Sequence, residues 1–227
     1  MTVAEWVDIW LKDYKKNSIR ASTYSILYSS NKNHITPKLG KYKLRELRND
    51  MIQQFINDLV DRSYSRNTID IIFSCLYGAL EQAFENELIS KNPSAKIKLP
   101  KAEKKEKRVL TQQEQDAFVN VAKHTKYGRL FIVILSTGLR RGEALALTWD
   151  DVDFKNCQLR VNKTITKDKL PGIESEQTWL IGPTKTQSSN RTIPLLPSTI
   201  KIFNEVKREQ NEERLRLGSE YIDNNLI

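Results

Sequence analysis

The 227-residue chain places Arg140 and Glu143 three residues apart within STGLRRGEALALTWDDVD, residues 136–153. An apolar run ends at Gly138, and the spacing beyond it predicts a new turn of helix on which both side chains share a face. There the carboxylate can fix the guanidinium by a charge-assisted hydrogen bond. A guanidinium held in this way offers a phosphate a planar fork of donors. An ordinary surface ion pair has the same spacing. A second polar segment, GPTKTQSSNRTIPL at residues 182–195, sets Lys185 near the turn of an expected β-hairpin, with Arg191, Ile193 and Leu195 alternating on the return strand. Lys185 can serve there as a point charge or proton donor to a bound ligand, or be a solvated hairpin lysine.

Other chemistries find no support. His34 and His124 lack ligand spacing to any cysteine or carboxylate, so no metal site is expected. Neither a GxxxxGKS/T loop nor a GxGxxG turn occurs, so no nucleotide cofactor is implied. Cys75 and Cys157 stand alone in apolar or alternating stretches and read as reduced packing residues.

A chain that is 39% hydrophobic and 29% charged is not a disordered polymer and can bury a core. No stretch approaches the ~20 apolar residues of a membrane span. Glu5 and Asp8 stand where a signal segment would be basic and then apolar, so a cytoplasmic location is expected. Lys and Arg number 37 against 28 Asp and Glu, a formal charge of +9 that suits a polyanion such as nucleic acid. The excess is densest at residues 101–108, which hold five basic and two acidic residues. That run has no apolar periodicity and reads as a linker between residues 1–100 and 109–227. A basic connector fits a protein that closes around a polyanion; a merely solvated linker has the same composition.

The elements that must position these groups are legible by period. Residues 1–100 read as a bundle of four amphipathic helices. The first opens on a capping box, Thr2 with Glu5, and carries Val3, Trp6, Val7, Trp10 and Tyr14. The second runs from near Ser22 to His34, where Pro37 and Gly40 should end it. The third starts at a cap on Asn49 or Asp50 and carries Ile52, Phe55, Ile56, Leu59 and Val60 on one stripe. The fourth starts near Ser65 and carries Ile69, Ile72, Phe73, Leu76, Leu80, Phe84 and Leu88 before Asn92 and Pro93 stop it. Residues 109–227 read as mixed α and β. A capping box at Thr111 and Glu114 comes first, then a buried helix from Arg129 to Gly138 and a short one from Gly142 to Leu147. Alternating stretches at 157–161, 178–181 and 191–195 predict a small antiparallel sheet, and a last helix covers 198–217.

The order TGLRxGEALxLxWxDVD followed by TKTxxSxRxIPL resembles the tyrosine recombinase, or phage integrase, family. HITPKLG at residues 34–40 and NTIDIIFSCLYGALEQAFENELISKNP at 67–93 are similar to that family's core-binding domain. The resemblance implies a mainly α protein: a SAM-like four-helix core-binding domain, then the first, mixed α+β part of a catalytic domain. It implies an enzyme that cuts and rejoins DNA at specific sites through a 3′-phosphotyrosyl intermediate, without metal or cofactor. Arg140 would grip the scissile phosphate, Glu143 would orient Arg140, and Lys185 would protonate the leaving 5′ oxygen. Without a metal, stabilisation must come from preorganised cationic donors. The family's HxxR box and late tyrosine nucleophile have no match here. Both histidines precede Arg140, and Tyr221 comes too early, so the chain reads as part of a longer integrase that does not itself cleave.

The partner implied is a double-stranded recombination site. Lys101, Lys104, Lys105, Lys107 and Arg108 are expected on phosphates. Tyr28, Lys32, Arg66, Asn67 and Thr68, on the second and fourth helices, are nominated to read bases. A homotetramer on DNA is implied for the full-length family member, and a monomer in solution for this chain. The alternative reading is a non-catalytic DNA-binding protein that occupies recombination sites or represses.

Overall fold

Thr2 caps the first helix in the computed structural model, which describes residues 1–101, 108–168, 178–184 and 189–227. The Thr2 N–H donates to the Glu5 carboxylate at 2.8 Å, and the Glu5 N–H donates to Thr2 Oγ1 at 3.3 Å, the reciprocal pairing that the sequence predicts. The described residues fall into two compact units, one built chiefly from residues 1–101 and the other from residues 108–167 and 179–227.

In the amino-terminal unit, α1 (Val3–Ile9) continues through a π-turn at Trp10–Lys15. There follow α2 (Ala21–Ser30), a second π-turn at Asn31–Ile35, α3 (Thr36–Leu39), α4 (Asn49–Asp61) and α5 (Arg66–Glu85). Trp6, Trp10, Ile52, Ile56, Ile72 and Leu76 meet in its core. The Trp6 indole N–H donates to the Ala79 carbonyl at 2.7 Å, so burying this polar ring leaves no donor unpaired.

Three expectations are corrected here. Gly40 does end this helical run, as the C-cap after Leu39, but Pro37 does not, because the wider π-turn before it shifts the carbonyl register and lets the chain run on. Neither Asn49 nor Asp50 caps α4. Arg48 holds the N-cap position without a side-chain bond, and Asp50 instead takes the Arg48 guanidinium at 2.8 Å. The fourth helix stops at Glu85, short of Leu88, because Glu87 turns left-handed at φ +59°. Ser65 does cap α5, accepting from the Thr68 N–H.

The second unit holds α6 (Gln112–Ala122), α7 (Gly128–Thr137), α8 (Arg141–Ala144) and α9 (Pro197–Leu217). Its strands are β1 (Val152–Asp153), β2 (Gln158–Val161), β3 (Lys163–Asp168), β4 (Thr178–Pro183) and β5 (Arg191–Pro194). β1, β2 and β5 form one antiparallel sheet, with Val152 opposite Leu159 and Leu159 opposite Ile193. β3 and β4 form a separate two-stranded sheet. The expected pairing across residues 182–195 is therefore corrected: β5 adds to β2, where Leu159, Val161 and Leu195 share the core, and not to β4. The helix at 129–138 is also less buried than expected. Only Gly128 and Val133 of α7 are buried, while Phe131 and Leu135 are exposed, because a single stripe of the helix is covered among the described residues.

The two cysteines differ. Cys75 is buried and donates to the Leu27 carbonyl at 3.5 Å, and burial pushes its thiol up to about 12. Cys157, expected to pack, is exposed at a left-handed turn, φ +51°. A thiolate-selective alkylating reagent should therefore label Cys157 in the folded protein and Cys75 only after unfolding. Equal rates at the two sites would contradict this packing.

Candidate active site

α7 ends on Gly138, whose φ of +66° lies where a side chain would be strained, and the chain then turns sharply through the buried Leu139 into Arg140. Arg140 is extended, at φ −71° and ψ 151°, and stands at the N-cap of α8. From that position its N–H donates to Glu143 Oε2 at 3.0 Å, and its Nη1 donates to Glu143 Oε1 at 2.9 Å. Backbone and side chain of one arginine thus converge on one carboxylate. The Glu143 side chain is only 3% exposed, whereas that of Arg140 is 71% exposed. The carboxylate holds one edge of the guanidinium and leaves the remaining N–H donors open to solvent.

Glu143 has a further partner that sequence reasoning missed. Arg191, the first residue of β5, donates from Nη2 to Glu143 Oε2 at 2.8 Å and from Nη1 to the Ser189 carbonyl at 3.2 Å. The β2–β5 register, with Val161 opposite Arg191, brings it there across 48 residues of sequence. Burial pushes the Glu143 carboxyl upward, but the bonds from Arg191 and from the backbone and side chain of Arg140 outweigh it. The group is held at about 2, so it is ionised at neutral pH. The available signal was the arginine of the SxRxIPL run, which alternation alone did not single out.

Gly142 has a steric reason to be glycine. A Cβ there would lie 2.5 Å from Thr164 Oγ1 and 2.9 Å from the Ile165 carbonyl, so any side chain would force β3 away from α8. The base of β3 is tied down independently. Lys163 Nζ donates to Thr148 Oγ1 at 2.7 Å and lies 2.8 Å from Asp151 Oδ2. The same carboxylate oxygen accepts from the N–H and the hydroxyl of Thr148, both at 2.8 Å. The WDDVD segment thus anchors the strand that packs on the Arg140 turn.

Lys185 lies outside the described residues, as do Lys104, Lys105 and Lys107. Thr184 and Ser189, which border the Lys185 segment, are buried, and the Thr184 hydroxyl donates to Asn190 Oδ1 at 2.7 Å. Lys101 is exposed, and Arg108 is exposed but paired with Glu114. Among the residues nominated to read bases, Lys32 and Asn67 are exposed. Arg66 is turned onto Asp70 at 2.8 Å, Tyr28 is half-buried against Tyr24, and Thr68 is bonded to Ser65 at 2.8 Å. Among the described residues no cluster of side chains is suited to a metal ion. No described helix is long and apolar enough to cross a membrane.

Residues 2–60 match the model of the phage integrase N-terminal SAM-like domain. The chain is 27% identical to a tyrosine recombinase XerC-like protein of Caldanaerobacter subterraneus subsp. tengcongensis, covering 98% of this chain and 59% of that protein. It is 32% identical to the prophage ps2 probable integrase of Lactococcus lactis subsp. lactis, covering 92% of this chain and 56% of the relative. The chain therefore spans a little over half the length of these relatives. Its fold matches the Tn1549 transposon integrase solved with transposon right end DNA, at a TM-score of 0.80 and 20% identity, over 100% of this chain and 70% of that one. It also matches a lambda integrase bound to a core site, at a TM-score of 0.64 and 20% identity, over 81% of this chain and 49% of that one. The fold is thus that of these integrases, and the domain match together with the similarity to recombinases and integrases along nearly the whole chain places this protein in the tyrosine recombinase, or phage integrase, family.

Proposed function

We propose that this chain is the core-binding domain and the first part of the catalytic domain of a site-specific DNA recombinase. The reading rests most on one observation: Arg140 is held along one edge by a buried, ionised Glu143 and presents its other donors to solvent. A fork fixed in this way suits a phosphate oxygen and needs no reorganisation when charge builds up on it. In the proposed reaction a tyrosine hydroxyl gives its proton to a general base assigned to no residue of this chain, its oxygen attacks the scissile phosphorus, and the 3′-phosphotyrosyl bond forms as the bond to the 5′ oxygen breaks. Lys185 gives its proton to that oxygen, which leaves as a hydroxyl. Arg140 offsets the charge on the phosphoryl oxygens throughout, and the nucleophile is assigned to no residue of this chain.

The partner is duplex DNA in the cytoplasm, with the amino-terminal unit and residues 101–108 supplying phosphate contacts. Lys32 and Asn67 are the exposed base-reading candidates that remain on the helical unit. The free chain is a monomer, and assembly to a tetramer belongs to the full-length protein on DNA. Each phosphate neutralised releases condensed counterions, so the logarithm of the binding constant should fall linearly with the logarithm of salt, by about 0.9 per contact. Fluorescence anisotropy with a labelled duplex between low and physiological salt measures it. A flat response would refute the phosphate-clamp reading.

A further inference from the structure

Glu143 is shared between two guanidinium groups that have different surroundings. Arg140 reaches solvent with most of its side chain, whereas the Arg191 side chain is only 30% exposed and spends a second donor on the Ser189 carbonyl. The three charges form a plus, minus, plus chain, with contacts of 2.9 Å and 2.8 Å on either side of the carboxylate. Were Arg140 and Glu143 alone, the pair would be neutral, and an approaching phosphate would meet an arginine whose charge is cancelled at contact distance. With Arg191 present, the carboxylate is balanced from inside the fold and the cluster keeps one net positive charge at its solvent edge.

We propose that Arg191 is a positioning and charge-balancing residue of the phosphate site: it satisfies Glu143 from β5 so that Arg140 meets the phosphate with its charge uncancelled. This rests on the reading of Arg140 as the phosphate grip. Arg191 does not touch the phosphate and acts through Glu143.

Duplex binding by the intact 227-residue chain tests it, using Arg140→Ala, Arg191→Met, the two combined, and the pair Glu143→Gln with Arg191→Met. Arg140→Ala should weaken binding roughly tenfold or more, the effect of losing a charged hydrogen bond. Arg191→Met should weaken it by a similar factor and reduce the salt slope by about 0.9, although Arg191 contacts no DNA. Added to Arg140→Ala, it should change nothing further. Replacing Glu143 by glutamine beside Arg191→Met removes the uncompensated negative charge and should restore the salt slope of the parent chain. A merely structural role for Arg191 cannot give that recovery. If Arg191→Met alone proves unfolded, the Glu143→Gln, Arg191→Met chain, whose buried pair is neutral, still decides the matter by its slope.

Additive losses from Arg140→Ala and Arg191→Met, or no recovery with Glu143→Gln, would overturn the inference. Arg140→Ala weakened and Arg191→Met unchanged would sink this inference alone. Arg140→Ala binding as tightly as the parent would instead remove the phosphate reading on which both rest.

Discussion

Glu143→Ala is expected to destabilise the second unit by about 3 kcal/mol, the lower end of the cost of breaking a buried ion pair. Glu143 is almost fully buried, and its two oxygens take the Arg140 N–H, the Arg140 guanidinium and the Arg191 guanidinium. Removing it leaves two cations facing each other without the anion between them. The cost stays at the lower end because both guanidinium groups reach solvent and can be rehydrated. Glu143→Gln keeps the shape and part of the bonding and should cost about 1–3 kcal/mol.

A pH profile gives an independent check. The folded Glu143 carboxyl lies at about 2, below its ordinary value of 4.5, so its contribution is fully present above 4.5 and is lost as pH falls through that window towards 2. Urea unfolding of the parent chain between pH 5 and pH 2 should include this loss, and Glu143→Ala should lack it. Identical profiles for the two proteins would show that the carboxylate is not held as the geometry indicates.

Trp10→Ala is expected to cost the helical unit about 3–5 kcal/mol, the usual penalty for emptying an aromatic site in a packed core. Trp10 is 2% exposed in the π-turn after α1 and lies so close to α5 that a Cβ on Gly78 would come within 3.0 Å of its ring. The missing side chain at Gly78 leaves room on α5 for this ring, which alanine at position 10 would leave unfilled. For a unit of about 100 residues the loss corresponds to a fall in the melting transition of about 15–30 °C. A shift below about 5 °C in a circular dichroism melt would mean that the ring is not the keystone of this packing.

Local chemistry was readable without a fold. The capping boxes at Thr2 and Thr111 need only a hydroxyl and a carboxylate three residues apart, and both form. The same local rule predicted the pairing of Arg140 with Glu143. The stripes of α1, α4 and α5 were legible because a helix repeats its apolar face every three to four residues, whatever it packs against. Helix ends were less so. Pro37 is a stop in an ideal α-helix but not after a π-turn, and the sequence carries no clear mark of π-turns.

What the sequence by itself determined was the helical first half, the mixed second half, the basic run between them and the arginine and glutamate that face one another at the start of α8. Only the tertiary structure decided which strand β5 would join. That choice is non-local: β2 and β5 lie some 30 residues apart and pair because Leu159, Val161 and Leu195 bury one another. From it follows the placement of Arg191 on Glu143, and so the net charge at the edge of the candidate phosphate site. An ion pair within one turn of helix is set by spacing, but one between a helix and a distant strand exists only once the sheet has closed.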